Sequence, residues 1–201
     1  MGYLIAILGA YLLGSVPFSH IFPRIKGRDV RKGGTGNVGA TNALVVAGPV
    51  MGVLAFIGDI AKGYLAVTFA AYYFTDPWLP VAAGIAAVLG HVFSVFLKFK
   101  GGKGLATSWG GLLGFDPVFA LIVMLTWILL ILATRYFILS SLINAVLVPV
   151  LLVVLGKRFE VVVYGAAILV MMLYTHRQDI KRIISGNEMK TDQSIKHYLG
   201  K

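Results

Sequence analysis

The chain has no cysteine, which removes disulfides, thiolate metal sites and a cysteine nucleophile at once. Acid is scarce: eight Asp and Glu stand against eighteen Lys and Arg, a formal net charge of +10. Charge of either sign is thin, at 13% of residues, about half the share in ordinary soluble proteins. Val118–Thr134 and Phe137–Leu155 carry none at all. No internal repeat or low-complexity segment is present, which weighs against a transporter built from inverted repeats. A Gly-x-x-x-x-Gly-Lys-Ser/Thr loop is missing too, so the glycines are not those of a P-loop.

What remains is apolar. The hydrophobic fraction is 58% and the mean hydropathy +0.86, too high for a soluble domain. The expected fold is an all-α polytopic membrane protein, one integral-membrane domain over residues 1–201. About seven transmembrane helices are expected, near 3–22, 44–74, 79–97, 104–115, 117–134, 137–155 and 160–175, with a tail over 176–201. The fourth is short and holds Gly110, Gly111 and Gly114, so it is expected to tilt, to pair with its neighbour or to be re-entrant. The first has no basic flank before it and a basic loop after it, and it reads as a retained span, not a signal peptide.

Basic residues choose a side. Fifteen of the eighteen fall in the first, third and fifth loops and the tail: Arg24, Lys26, Arg28, Arg31 and Lys32; Lys98, Lys100 and Lys103; Arg135; and Arg177, Lys181, Arg182, Lys190, Lys196 and Lys201. The alternate loops hold only Lys157 and Arg158, beside Asp76, Asp116 and Glu160. By the positive-inside rule the amino terminus is outside and the basic loops and tail are cytoplasmic. Attraction to anionic lipid accounts for the net charge, and nucleic acid is not expected as a partner.

Two cytoplasmic runs are rich in glycine. Gly33-Gly34-Thr35-Gly36-Asn37-Val38-Gly39-Ala40-Thr41-Asn42 is costly to order, yet its amides and hydroxyls suit an oxyanion such as phosphate. Asn37, Thr41 and Asn42 need partners at a membrane surface, either a polar substrate or neighbouring loops. Lys98-Phe99-Lys100-Gly101-Gly102-Lys103-Gly104 opens the helix Leu105-Ala106-Thr107, whose amino terminus turns free N–H groups toward it. That run is either a phosphate site around Lys103 or a basic interfacial turn.

Arg135, in the polar break that ends at Ser140-Ser141, suits bidentate phosphate recognition or interfacial anchoring beside Tyr136. His176 and Asp179 share a helical face at the start of the tail, where the histidine can hold a proton, bind an anion or simply end a helix. His91 follows Gly90 inside a span and is expected to bond between helices. Asp59 and Lys62, three apart within the second span, either pair structurally or mark an ion path, and the structural reading is favoured.

With these residues in place, the chain resembles the bacterial acyl-phosphate:glycerol-3-phosphate acyltransferases, the PlsY family, over almost its whole length. The resemblance rests on Gly14-Ser15-Val16-Pro17, Gly34 to Asn42, Gly58-Asp59-Ile60-Ala61-Lys62-Gly63 and Gly90-His91. It continues through Phe99 to Thr107, Arg135-Tyr136, Ser141, and His176-Arg177 to Gly186-Asn187-Glu188. It implies transfer of a fatty acyl group from acyl phosphate to the sn-1 hydroxyl of glycerol 3-phosphate, giving lysophosphatidic acid and inorganic phosphate in phospholipid synthesis. It also implies a bacterial cytoplasmic membrane protein with its site on the cytoplasmic face.

Residue by residue, the resemblance implies catalytic roles for His176, Lys103 and Asp179. Substrate and phosphate binding falls to Thr35, Gly36, Asn37, Thr41, Asn42, Gly101, Gly102, Gly104, Thr107, Arg135 and Ser141, and structural roles to Glu188, Asp59 and Lys62. No metal or cofactor is expected; the partners are the two substrates and membrane lipid, with the protein a monomer or weak oligomer. Three positions depart from the family pattern: Thr35 stands for Ser, Val45 for a phosphate-binding Arg, and Asp179 for Asn.

Acyl phosphate is an activated mixed anhydride, so direct attack by the acceptor hydroxyl needs no acyl-enzyme. The chain has no Gly-x-Ser-x-Gly elbow and no His followed five residues later by Asp, the signature of the other large glycerolipid acyltransferase family. The general base is either His176 or the departing phosphate. The rival readings are a permease for a phosphorylated solute, which predicts polar groups along both halves of a path, and a membrane scaffold.

Overall fold

The computed structural model describes residues 1–191, 193 and 197, so Lys196 and Lys201 of the basic tail lie outside the described residues. The chain is helical throughout its spans. α1 (Gly2–Ser15) and α2 (Phe18–Ile25) part at Val16-Pro17, where proline has no N–H to continue the ladder. α3 (Ala40–Ala47) and α4 (Pro49–Tyr73) follow the first glycine run. α5 (Trp78–Val92) leads through a single 3₁₀ turn, Val95–Leu97, into the second run. Then come α6 (Leu105–Phe115), α7 (Pro117–Thr134), α8 (Phe137–Val154), α9 (Phe159–Thr175) and α10 (Arg177–Ile184).

Among the described residues, five stretches are long and apolar enough to cross a membrane: Gly2–Ile25, Pro49–Tyr73, Trp78–Leu97, Pro117–Thr134 and Phe137–Val154. A sixth is reached only if α9 and α10 count as one span, and these two are bent by 66° at His176. Two expected spans differ from this. The stretch 44–74 is not continuous, because Gly48 turns the chain at φ 91° and Pro49 starts α4 afresh. The stretch 104–115 is α6, whose eleven residues reach roughly 16 Å, about half the hydrocarbon thickness. Helix α6 is sheltered instead: Thr107 lies against Gly63, halfway along α4, and Gly114 against Val67.

Lipid-facing and protein-facing surfaces sort by helical period. Leu121, Leu125, Leu129 and Leu132 form an exposed stripe on α7. The principal core joins Trp109 and Leu112 of α6 to Val123 of α7, Val148 and Leu152 of α8, and Tyr164 and Met172 of α9. Lys157 pairs with Asp116 at 2.7 Å at one end of this bundle, where Trp78 and Phe159 also meet. The two glycine runs, the start of α6 and the α9–α10 bend gather at the other.

Candidate active site

The first glycine run is a packed loop. Asn42 ties it together: Oδ1 accepts from Thr35 N at 2.9 Å, while Nδ2 donates to Val30 O at 2.7 Å and Asn37 O at 2.9 Å. Gly34 lies at φ 57°, and a Cβ there would sit 2.0 Å from Asn42 Oδ1, so only glycine fits. Val30 and Val38 are buried with Ala43, Ala55 and Leu97 in a small core of their own. Thr35, Gly36 and Thr41 remain exposed. Asn42, expected against substrate, is instead 2% exposed and holds the loop's shape. Ahead of this loop Asp29 gathers Arg24 at 3.0 Å and Arg31 at 2.9 Å, and their cations hold its carboxyl well below the usual range. Sequence reasoning passed over Asp29; its signal was a lone acid in a run of five bases.

The glycines of the second run act chiefly through close approach. Gly101 N donates to Val92 O at 2.9 Å and Gly102 N to His91 O at 3.1 Å, which completes the carboxyl end of α5. A Cβ on Gly102 would fall 2.2 Å from Val38 O and 2.3 Å from His91 Nε2, so the two glycine runs touch here. These two amides are therefore spent within the protein, whereas Lys103 N, Gly104 N and the N–H groups of the first turn of α6 make no such bond among the described residues. Ser108 N returns to Gly104 O, leaving Leu105, Ala106 and Thr107 as that turn. Thr107 is wholly buried, and its Oγ1 has no partner among the described residues.

Lys103 meets the tail. Its Nζ pairs with Asp179 Oδ2, and Arg182 pairs with Asp179 Oδ1 from the next turn of α10. Arg182 Nε also bonds Glu188 Oε2 at 2.9 Å, so Glu188 braces the chain beyond α10. Thr175 Oγ1 donates to Lys103 O at 3.2 Å, which ties the end of α9 to the same loop. His176 Nδ1 lies 2.9 Å from Met172 O. A carbonyl only accepts, so Nδ1 carries the hydrogen and Nε2 the lone pair. Burial, helped by the Lys103 charge, brings the His176 pKa down to about 4.

Two expected binding residues stand apart from this cluster. Ser141 Oγ accepts from Trp127 Nε1 at 3.0 Å and donates to Phe137 O at 2.8 Å, which commits it to the α7–α8 contact. Arg135 caps α7 at φ 64° with an exposed side chain, and its carbonyl accepts from Thr191 N at 2.8 Å. Asp59 and Lys62 pair at 2.9 Å, each 1% exposed. A small apolar void of about 20 Å³ between α6, α8 and α9 is lined by Leu105, Trp109, Leu112, Val148 and Met172.

Known proteins share this fold and much of this sequence. Residues 4–186 match the family described as glycerol-3-phosphate acyltransferase. The glycerol-3-phosphate acyltransferase of Thermosipho melanesiensis is 40% identical, over 100% of this chain and 98% of its own. That of Syntrophomonas wolfei is 42% identical, over 92% and 95%. Two crystal structures of PlsY (YgiH), an integral membrane glycerol 3-phosphate acyltransferase, superpose with a TM-score of 0.89 each. The glycerol 3-phosphate form is 37% identical and covers 94% of this chain and 96% of its own; the lysophosphatidic acid form is 35% identical, with 97% and 99%. The chain belongs to the glycerol-3-phosphate acyltransferase family.

Proposed function

We propose that this protein transfers a fatty acyl group from acyl phosphate directly to the sn-1 hydroxyl of glycerol 3-phosphate. The hydroxyl oxygen bonds to the acyl carbon, the bond from that carbon to phosphate oxygen breaks, and the proton leaves to His176 Nε2 or to the departing phosphate. Lysophosphatidic acid and inorganic phosphate are the products. The observation that carries this reading is the convergence of Lys103, a neutral buried His176 and the first turn of α6 at one recessed point. An ammonium and helix-end N–H groups there stabilise charge that grows on the phosphates, and the closed bundle orients the reactants. Thr35 and Thr41 offer further donors to the glycerol phosphate. The acyl chain is expected to lie between the spans and to enter sideways from the lipid. The lysines and arginines at this end of the bundle support a site on the cytoplasmic face of a bacterial membrane, with the amino terminus outside.

The decisive experiment uses purified protein in phosphatidylcholine vesicles with acyl phosphate and glycerol 3-phosphate. Lysophosphatidic acid and phosphate are expected in equal amounts. Uptake of glycerol 3-phosphate without covalent change would overturn the reading in favour of a permease. Acylation from a thioester alone, with no phosphate released, would overturn the donor.

Asp179 gives a second test. Its carboxylate sits against Lys103, so a substrate phosphate must compete with it for the same ammonium. Asp179→Asn is expected to lower the KM for glycerol 3-phosphate about fivefold, the worth of one like charge some 4 Å away in a wet site. Initial rates against glycerol 3-phosphate concentration measure it, and an unchanged or higher KM would refute the competition.

A further inference from the structure

Beneath the two glycine runs, within the membrane-spanning part of the bundle, lies a polar cluster that the chemistry above does not use. Asp59 Oδ2 accepts from Ser19 Oγ at 2.6 Å, and Lys62 Nζ, 2.9 Å from Asp59 Oδ1, donates to Val16 O at 3.1 Å. The ion pair on α4 thus holds both the α1–α2 break and the first turn of α2. His91, 7% exposed on α5, brings Nδ1 to 3.5 Å from Asp59 Oδ1. Ionisable groups this deep are costly unless paired, and here the lysine and the carboxylate answer each other.

His91 then faces the other way. Its carbonyl accepts from Gly102 N, and its Nε2 edge lies against the Gly102 α-carbon, where a Cβ would come within 2.3 Å. Gly102 precedes Lys103 in the chain. The α5 end is pinned from α1 as well, since Ser94 Oγ donates to Ser15 O at 2.6 Å and Tyr11 Oη to Phe93 O at 2.7 Å. One buried imidazole therefore joins a charged anchor on α4 to the backbone that carries the site lysine.

We infer that His91, set at ion-pair distance from Asp59 and packed against Gly102, is a positioning residue that sets where Lys103 stands. This rests on the reading of Lys103 as a phosphate-binding group. A displacement of about 1 Å at such a group costs up to roughly a hundredfold in rate, so the support beneath it acts on kcat more than on the stability of the bundle.

His91→Phe keeps the ring and loses the link to Asp59; His91→Asn keeps a donor where Nδ1 stood and trims the ring. His91→Phe is expected to cut kcat by about tenfold or more, with the thermal midpoint and the KM for glycerol 3-phosphate close to those of the unaltered protein. His91→Asn is expected to restore most of kcat. Equal kcat in folded His91→Phe, or a larger loss in His91→Asn than in His91→Phe, overturns the inference, because packing alone would then hold the loop. If His91→Phe does not fold, His91→Asn is compared with His91→Ala. A higher kcat for Asn supports the positioning role, and equal values overturn it. Lys103→Ala runs in parallel: full turnover there rejects the role of Lys103 itself, whereas loss there with none in His91→Phe rejects only the positioning.

Discussion

Replacing Lys103 with alanine is expected to lower turnover by about a hundredfold to a thousandfold, the range seen when one preorganised transition-state donor is removed. Lys103 is held at a fixed point by its own carbonyl, which takes the Thr175 hydroxyl, and by its ammonium, which takes Asp179. It is three-quarters covered, with 26% of its side chain exposed, so its charge acts partly out of water. Loss of the side chain leaves Asp179 paired with Arg182, so the bundle should fold and the defect should lie in kcat. Release of inorganic phosphate from acyl phosphate, measured on monodisperse protein, reads the effect. Turnover equal to that of the unaltered protein would remove Lys103 from the site.

His176→Ala is expected to cost about a hundredfold or more if the imidazole takes the proton from the attacking hydroxyl, the usual scale of general base catalysis. With its pKa near 4, His176 is neutral at physiological pH and has Nε2 available. Burial is the first cause of that low value and the Lys103 charge the second. A phosphate bound at Lys103 offsets the second cause, so the imidazole becomes a better base when substrate is present. A wild-type rate in His176→Ala would assign the proton to the leaving phosphate.

The same histidine shapes acid stability. Above pH 6.5 it is neutral whether folded or unfolded and contributes nothing to the pH dependence. Below that, the unfolded chain takes up a proton that the folded protein refuses until about pH 4, so stability falls as pH falls through this window. His176→Gln should flatten that portion of a plot of thermal midpoint against pH.

Individual residues show where sequence reasoning reached and where it stopped. The pairing of Asp59 with Lys62 followed from their spacing of three, because helical geometry puts such residues on one face. The break at Gly48-Pro49 was visible as a Gly-Pro dipeptide, yet the surrounding hydropathy hid it. Gly101 and Gly102 show a harder limit. A glycine chosen to free an amide for an anion and one chosen to let two backbones touch look identical in sequence, and here the neighbours at His91, Val92 and Val38 decide. Ser141 and Asn42 are similar, since a polar side chain says nothing of whether its partner is substrate or protein.

Composition and charge by themselves determined a helical membrane protein whose chemistry crowds one end, because burial in lipid and loop charge act residue by residue. The tertiary structure alone decided that Lys103 meets Asp179 and which amides stay open. Lys103 and Asp179 lie 76 residues apart, and Gly102 meets Val38 across three intervening helices, α3, α4 and α5. Contacts at that separation depend on how the helices pack, and no local pattern in the chain encodes them.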